Sequence, residues 1–120
     1  MLSTVYGTVL RLQGDLKSAR GHHEQALALF QASDEGLNRA EALNNLGETL
    51  QALAEPGRAL PLHREALELA ETAGDPVETA RSRELLGRAL LDLGHDQEGE
   101  QELTRAQTAY QAMGLPRIVP

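Results

Sequence analysis

The sequence contains no cysteine and no tryptophan, and its aromatic residues are limited to two tyrosines and one phenylalanine. The absence of cysteine excludes a disulfide framework and a thiolate metal site, which fits a reducing compartment. With so few aromatic residues, any core must be built from leucine, alanine and valine. Because β-branched residues are also scarce, the composition favours packed helices over a sheet.

Positive charge and long apolar runs are also in short supply. Lysine occurs once, and 18 acidic residues face 11 basic ones, for a formal net charge of −7. Such a field repels phosphate backbones, so we expect no direct binding of nucleic acid. No apolar run approaches the roughly 20 residues that span a bilayer, and no charged-then-apolar leader opens the chain. We therefore expect a cytoplasmic protein without membrane contact.

The chain does contain an internal repeat. In blocks of 40 residues, three columns are identical: Gly7, Gly47 and Gly87; Leu10, Leu50 and Leu90; and Ala26, Ala66 and Ala106. Leucines within each block step by three and four residues, as in a helix. Breaks such as Gly74-Asp75-Pro76 combine a left-handed terminator, an N-cap carboxylate and a first-turn proline. The pattern predicts six helices and an irregular tail over 114–120; the helices lie near 2–13, 16–32, 37–53, 57–73, 76–93 and 96–112.

Glycines inside predicted helices need a reason, since each costs about 1 kcal/mol relative to alanine in an exposed helix. We expect that a side chain at Gly47 would obstruct the approach of the paired helix. Ala59 and Ala66 on that helix are likewise small. Gly99 stands where the other blocks have alanine, which predicts looser packing of the last helix.

The run Leu43-Asn44-Asn45-Leu46-Gly47, followed by Leu50, Ala59 and Ala66, resembles the signature of the tetratricopeptide repeat (TPR) family. The resemblance implies an all-α fold, an α-α superhelix or solenoid of three helix-turn-helix repeats. The array would cover 1–113, with repeats near 1–40, 41–80 and 81–113. Its period exceeds the usual length of about 34 residues and is similar to the longer repeats of kinesin light chains and bacterial regulatory proteins.

The resemblance further implies that the first helix of each repeat lines a concave groove for a peptide or partner helix. The groove positions in the three blocks would be Thr4, Val5, Thr8 and Arg11; Asn44, Asn45, Glu48 and Gln51; and Arg81, Glu84, Leu85 and Arg88. Asn45 is the leading candidate, because a side-chain amide pairs with a ligand's backbone whatever its sequence. The alternative is that Asn44 and Asn45 are ordinary solvated residues.

Charged residues of the third block have two interpretations. Arg81, Glu84 and Arg88 share a helix face, so two guanidinium groups could meet a partner's carboxylates. Alternatively, Glu84 and Arg88 form an i, i+4 surface pair worth about 0.3–0.5 kcal/mol, which we expect to be their main role.

The sequence offers no catalytic or metal-binding pattern. The four serines lack a nucleophile-elbow context, no phosphate-cradling glycine loop is present, and no two histidines lie at i, i+4. His23 and His63 fall in a column that packs between helices, so we interpret them as structural. We therefore expect no enzyme activity, no cofactor and no metal.

The leading hypothesis is a protein–protein interaction module. The alternatives are an intramolecular regulatory segment that binds another domain of its own chain, a self-association segment, or small-ligand sensing. The apolar edge of the first helix, with Val5 and Val9, would support a homodimer or contact with upstream repeats. One lysine against ten arginines indicates a high-GC bacterial genome. The chain thus also resembles the C-terminal TPR region of bacterial antibiotic-regulatory transcription activators and signal-transduction ATPases.

Overall fold

The computed structural model describes residues 17, 18, 20–25 and 36–115, and all its regular elements are helices. Residues 17, 18 and 20–25 are helical, and four complete helices follow: α1 (Gly36–Ala52), α2 (Pro56–Ala73), α3 (Pro76–Asp92) and α4 (Asp96–Ala112). Their bounds lie within one residue of the predicted ones. The predicted all-α fold is confirmed. No described helix is long and apolar enough to cross a membrane.

Part of the predicted array lies outside the described residues. This applies to most of the first predicted repeat and to 116–120 of the predicted tail. The repeat positions Gly7, Leu10 and Ala26, the groove positions Thr4, Val5, Thr8 and Arg11, and the helix edge with Val9 fall there. The description of packing below therefore concerns α1 to α4.

Local sequence signals set the helix boundaries. Gly74 adopts a left-handed φ of 70° after α2, and its backbone N–H is directed to the carbonyls of Ala70 and Glu71. Asp75 then caps α3, since its Oδ1 accepts a 2.8 Å hydrogen bond from the backbone N–H of Glu78. Pro76 occupies the first turn, where its missing N–H is not needed. The boundary predicted at 74–76 therefore has all three predicted features: a left-handed glycine, an N-cap aspartate and a first-turn proline.

Helices α1 and α2 form one antiparallel pair, and α3 and α4 form the next, with starts 40 residues apart in both cases. Neighbouring helices along the chain pack together, and α1 also approaches α3 to within 8 Å between Cα atoms. Among these four helices, α2 and α4 show no such approach. Because the first helices lie closer together than the second helices, the stack curves with α1 and α3 on its inner side.

The core consists of leucine and alanine. Buried apolar residues occur on all four helices: Ala40, Ala42, Leu43, Leu46, Leu50, Ala59, Ala66, Ala70, Ala80, Leu85, Leu86, Ala89, Leu90 and Ala106. Ala59, Ala66 and Ala106 are fully buried, so the small side chains let the helix axes approach. Each fully buried leucine contributes about 1.5–3 kcal/mol relative to its exposed form.

The mid-helix glycines lie where paired helices meet. A Cβ added at Gly47 would be 2.5 Å from Cε1 of His63 on α2. One added at Gly87 would be 2.9 Å from the carbonyl oxygen of Gly99 on α4, and one added at Gly99 would be 3.0 Å from that of Gly87. The expectation of loose packing at Gly99 is therefore wrong, because glycine there allows backbone-to-backbone contact.

Candidate functional site

The inner side of the stack carries the predicted groove residues that the structure describes. Asn45 and Glu48 lie half-buried on α1, Arg81 and Glu84 lie half-buried on α3, and Arg88 is exposed one turn beyond Glu84. We use the term inner face for the surface of α1 and α3 that these residues form.

Asn44 does not belong to the inner face, and its assignment as a partner-binding residue is wrong. Its side chain is 0% exposed. Its Nδ2 donates hydrogen bonds of 2.8 Å to Oε2 of Glu78 and 2.8 Å to Oγ of Ser82, both on α3. Helical spacing explains the position, because residue 44 shares a face with the buried small residues Ala40 and Gly47. Asn44 therefore joins the two helix pairs from within.

His63 extends this buried network to α2. The ring is 0% exposed, and its Nδ1 lies 2.9 Å from Oδ1 of Asn44. Burial, assisted by the positive charge of Arg81, lowers the pKa of His63 to about 3, so the ring is neutral at physiological pH. Because Nδ2 of Asn44 donates to side chains of α3, Oδ1 of Asn44 is the acceptor that faces His63. Nδ1 of His63 therefore carries the proton and donates a hydrogen bond to Oδ1 of Asn44. Nε2 lies 2.8 Å from Oε1 of Gln51. Because the neutral ring carries a single N–H, a hydrogen bond here requires the Gln51 amide to turn by 180°, so that its NH2 group donates to Nε2.

The two histidines expected to be structural, His23 and His63, are both buried. His23 is buried like His63, with 0% of its surface exposed. Within the described ranges, no group of three or more His, Cys, Asp or Glu side chains is placed to hold a metal ion.

Arg81 links α3 to α1 across the inner face. Its Nη1 donates to Oε2 of Glu78 at 3.0 Å, and its Nη2 donates to Oδ1 of Asn45 at 2.6 Å. Nη2 also lies 3.8 Å from Oε1 of Glu48. The guanidinium is therefore bound to side chains of this chain instead of projecting freely. The amide oxygen of Asn45 is also engaged, whereas its NH2 group has no hydrogen-bond partner among the described residues.

The second arginine of the predicted set is paired as well. Nη2 of Arg88 donates to Oε2 of Glu84 one turn before it, so the i, i+4 pair is present. The other oxygen of Glu84 accepts a 3.3 Å hydrogen bond from the hydroxyl of Tyr110 on α4. Burial and the nearby Glu84 carboxylate raise the pKa of Tyr110 to about 12, so this hydroxyl keeps its proton at neutral pH.

An open cleft lies on the inner side between α1 and α3. Its volume is about 410 Å³, and it is lined by Glu48, Gln51, Ala52, Leu85, Arg88, Leu91 and Asp92. Four of these lining positions, 48, 51, 85 and 88, were predicted from the sequence. The predicted set did not include Ala52, Leu91 and Asp92, which lie at the ends of the two helices. Ala52 follows Glu48 by four residues, and Asp92 follows Arg88 by four. Because residues four apart share a helix face, this spacing could have predicted both positions.

Comparisons with known proteins support the same fold. A family model described as tetratricopeptide repeat matches residues 1–72. Tonsoku-like protein of Bos taurus is 30% identical over 105 residues, which is 88% of this chain but 8% of the relative. The chain therefore spans a small part of that curated relative.

Two solved structures have similar folds. The crystal structure of BtubC from P. vanneervenii matches with a TM-score of 0.82 and 24% identity, over 98% of this chain and 49% of that one. The TPR domain of Arabidopsis FLU matches with a TM-score of 0.84 and 14% identity, over 92% of each chain. At these identities the similarity establishes the fold and nothing finer.

Proposed function

Because the chain belongs to the tetratricopeptide repeat family, whose repeats generally mediate protein–protein interaction, we propose that its inner face binds a peptide or a partner helix. The chain acts by holding a polypeptide and carries out no chemistry of its own. The observation that carries the proposal is the curvature of the stack, which brings α1 and α3 together and opens the cleft of about 410 Å³ between them.

The side chains around the cleft support this role. Leu91 and Ala52 offer aliphatic surface above the buried Leu85, while Glu48, Gln51, Arg88 and Asp92 surround it with polar groups. Recognition sites in proteins combine apolar walls with a few polar groups that fix orientation. The NH2 group of Asn45 adds a donor for a partner's backbone carbonyl. This mixture favours a polypeptide ligand, which has both a polar backbone and apolar side chains.

The proposed context is a larger bacterial regulator of the cytoplasm, with the array of 1–113 as its interaction region. The excess of arginine over lysine and the 40-residue offset between helix pairs support this proposal. The net charge of −7 argues that contacts with nucleic acid belong to another part of such a protein. In that setting, the partner is either a separate protein or another domain of the parent chain.

Site-specific photo-crosslinking in the source cell tests the proposal. A benzophenone amino acid is placed at Glu48 or Arg88 on the cleft, and at exposed Glu68 on α2 as a matched control. We expect a crosslinked polypeptide from the two cleft positions and none from the control. Crosslinking from Glu68 alone, or from no position, would contradict an inner-face site. A crosslink to a second copy or to the parent chain would identify self-association or intramolecular regulation instead.

A further inference from the structure

Buried hydrogen bonds join α1 to α3 on the inner side of the stack. Nδ2 of Asn44 donates to Oε2 of Glu78 and to Oγ of Ser82, at 2.8 Å in both cases. Asn44 and Ser82 are 0% exposed, and Glu78 is 7% exposed. Hydrogen-bonding groups of this kind can be satisfied by water when two helices separate, so they hold α1 and α3 together in a replaceable way.

Arg81 continues this contact from the interior to the surface. Its Nη1 donates at 3.0 Å to Oε2 of Glu78, the same oxygen that accepts from Asn44. Its Nη2 donates at 2.6 Å to Oδ1 of Asn45 on α1. We use the term polar joint for the five residues that form this contact, which are Asn44, Asn45, Glu78, Arg81 and Ser82.

The repeat does not require the polar joint. Forty residues before Ser82 the chain has Ala42, which is only 1% exposed, and forty residues before Arg81 it has Glu41, of opposite charge. Equivalent positions of the fold therefore accept a buried apolar residue and an acid. Buried polar groups also carry a desolvation cost that an apolar contact avoids. The polar joint is thus specific to the contact between α1 and α3 and needs a reason beyond fold formation.

The opposite side of α3 is held in a different way. Helix α2 packs against α3, and Leu86 of α3, 2% exposed, lines a groove with side chains of α2. Arg83 lies roughly 200° around the helix from Arg81. It donates to Glu71 of α2 at 3.3 Å and to Glu102 of α4 at 3.1 Å. Apolar packing and this bridging arginine connect α2, α3 and α4 away from the polar joint.

We propose that the polar joint controls a hinge between the two helix pairs. When its hydrogen bonds exchange with water, the pair α1 and α2 rotates relative to the pair α3 and α4 about the contact between α2 and α3. This rotation separates α1 from α3 and widens the inner face, as in other hinge motions of packed units. A ligand that binds the open form better would shift the population toward it. That consequence rests on the proposed function, whereas the hinge is a property of the free chain.

Spin labelling tests the hinge without any ligand. The chain has no cysteine, so labels can be attached to Glu68→Cys on α2 and Thr108→Cys on α4, two exposed positions 40 residues apart. Pulsed electron double resonance then measures the distance between the helix pairs. In the parent the open form should be a minor state of about 0.1–10%. Arg81→Met removes both hydrogen bonds of the guanidinium and should raise the open fraction roughly tenfold, as a second population at shorter distance.

Two controls make the result specific. Arg105→Met removes an arginine whose ion pair lies within α4, and it should leave the distance unchanged. Labels at Val77→Cys and Gln97→Cys, both exposed, report on the pair α3 and α4 alone, and their distance should be the same in all variants. Glu78→Gln keeps an oxygen for Asn44 but weakens the hold on Arg81, so it should raise the open fraction to a smaller extent.

The outcomes separate the hinge from the binding role. Identical distributions for the parent, Arg81→Met and Glu78→Gln would overturn the hinge. A change between the labels within α3 and α4 that equals the change between the helix pairs would also overturn it, because it would indicate general loosening. Crosslinking of a polypeptide from the cleft, together with an unchanged distance between the pairs, would refute the hinge and leave the proposed function standing.

Discussion

Replacement of Gly47 by alanine should destabilise the protein, although alanine is the better helix former. In an open helix the change is favourable by about 1 kcal/mol. At Gly47, however, the new Cβ would lie 2.5 Å from Cε1 and 2.7 Å from Nε2 of His63. The ring would have to move by roughly 0.5–1 Å within a packed interface, and such overpacking costs about 1–3 kcal/mol.

The hydrogen bonds of His63 increase this penalty. The ring is fixed at both nitrogens, by Asn44 at 2.9 Å and by Gln51 at 2.8 Å. Moving it weakens contacts that each contribute about 1 kcal/mol, within a buried network that water cannot restore. After the gain in helix propensity is subtracted, Gly47→Ala should lower the free energy of unfolding by about 1–3 kcal/mol. The matched change Gly57→Ala meets its nearest atom, in Leu93, only at 4.0 Å and should be neutral or mildly stabilising.

Urea unfolding followed by circular dichroism would measure both effects, and thermal midpoints should fall by roughly 3–6 °C per kcal/mol. A double-mutant cycle with His63→Ala isolates the steric cause. Without the ring, Gly47→Ala should become neutral or stabilising, which gives a coupling energy of about 2–3 kcal/mol. The same stability for Gly47→Ala and Gly57→Ala, or an effect of Gly47→Ala that survives loss of the ring, would refute the reasoning.

Three shorter predictions concern pH and the helix ends. The pKa of His63 is about 3 in the folded chain against 6.5 in the unfolded chain, so its contribution to stability is complete above pH 6.5 and is lost as the pH falls. Between pH 6.5 and 5, urea unfolding should show the parent losing about 2 kcal/mol more than His63→Gln; parallel pH profiles would contradict this. Asp75→Ala removes the N-cap bond of α3 and should cost about 1 kcal/mol in thermal unfolding. His95→Ala is its control, because His95 makes no side-chain cap bond. Ala54 has a left-handed φ of 62°, so Ala54→Gly should stabilise by about 0.5–1 kcal/mol in the same assay, and a loss of stability would contradict that strain.

The helices could be predicted from the sequence because their signals are local. Leucines at spacings of three and four mark the buried stripe, and the Gly74-Asp75-Pro76 run fixes a boundary within three residues. The turn between α1 and α2 contains Ala54 at a positive φ of 62°, where the next repeat has Gly94 with a φ of 84°. Local chemistry thus sets where helices end, even where one residue departs from the rule.

The candidate site could be predicted only in part, because it depends on relations between helices. Periodicity identifies the face that Asn45 and Glu48 share, but it does not distinguish Asn44, whose partners Glu78 and Ser82 lie 34 and 38 residues away. From the sequence of α1 alone, Asn44 is indistinguishable from a solvent-exposed polar residue. Its burial depends on α3, which packs over it. The same holds for Arg81, whose engagement with Asn45 and Glu78 requires the distance between α1 and α3.

A continuous series of side-chain hydrogen bonds joins the buried network to the inner face. This series determines which substitutions can be used to test ligand binding. His63 contacts Asn44, Asn44 contacts Glu78, Glu78 accepts from Arg81, and Arg81 holds Asn45 at the surface. A change at Asn44 or Arg81 would therefore disturb the joint between helix pairs as well as any ligand contact. Asp92 lies exposed at the rim of the cleft and outside this chain of hydrogen bonds, whereas Glu48 pairs with Arg81. Loss of binding on changing Asp92, with stability preserved, can therefore be assigned to the ligand.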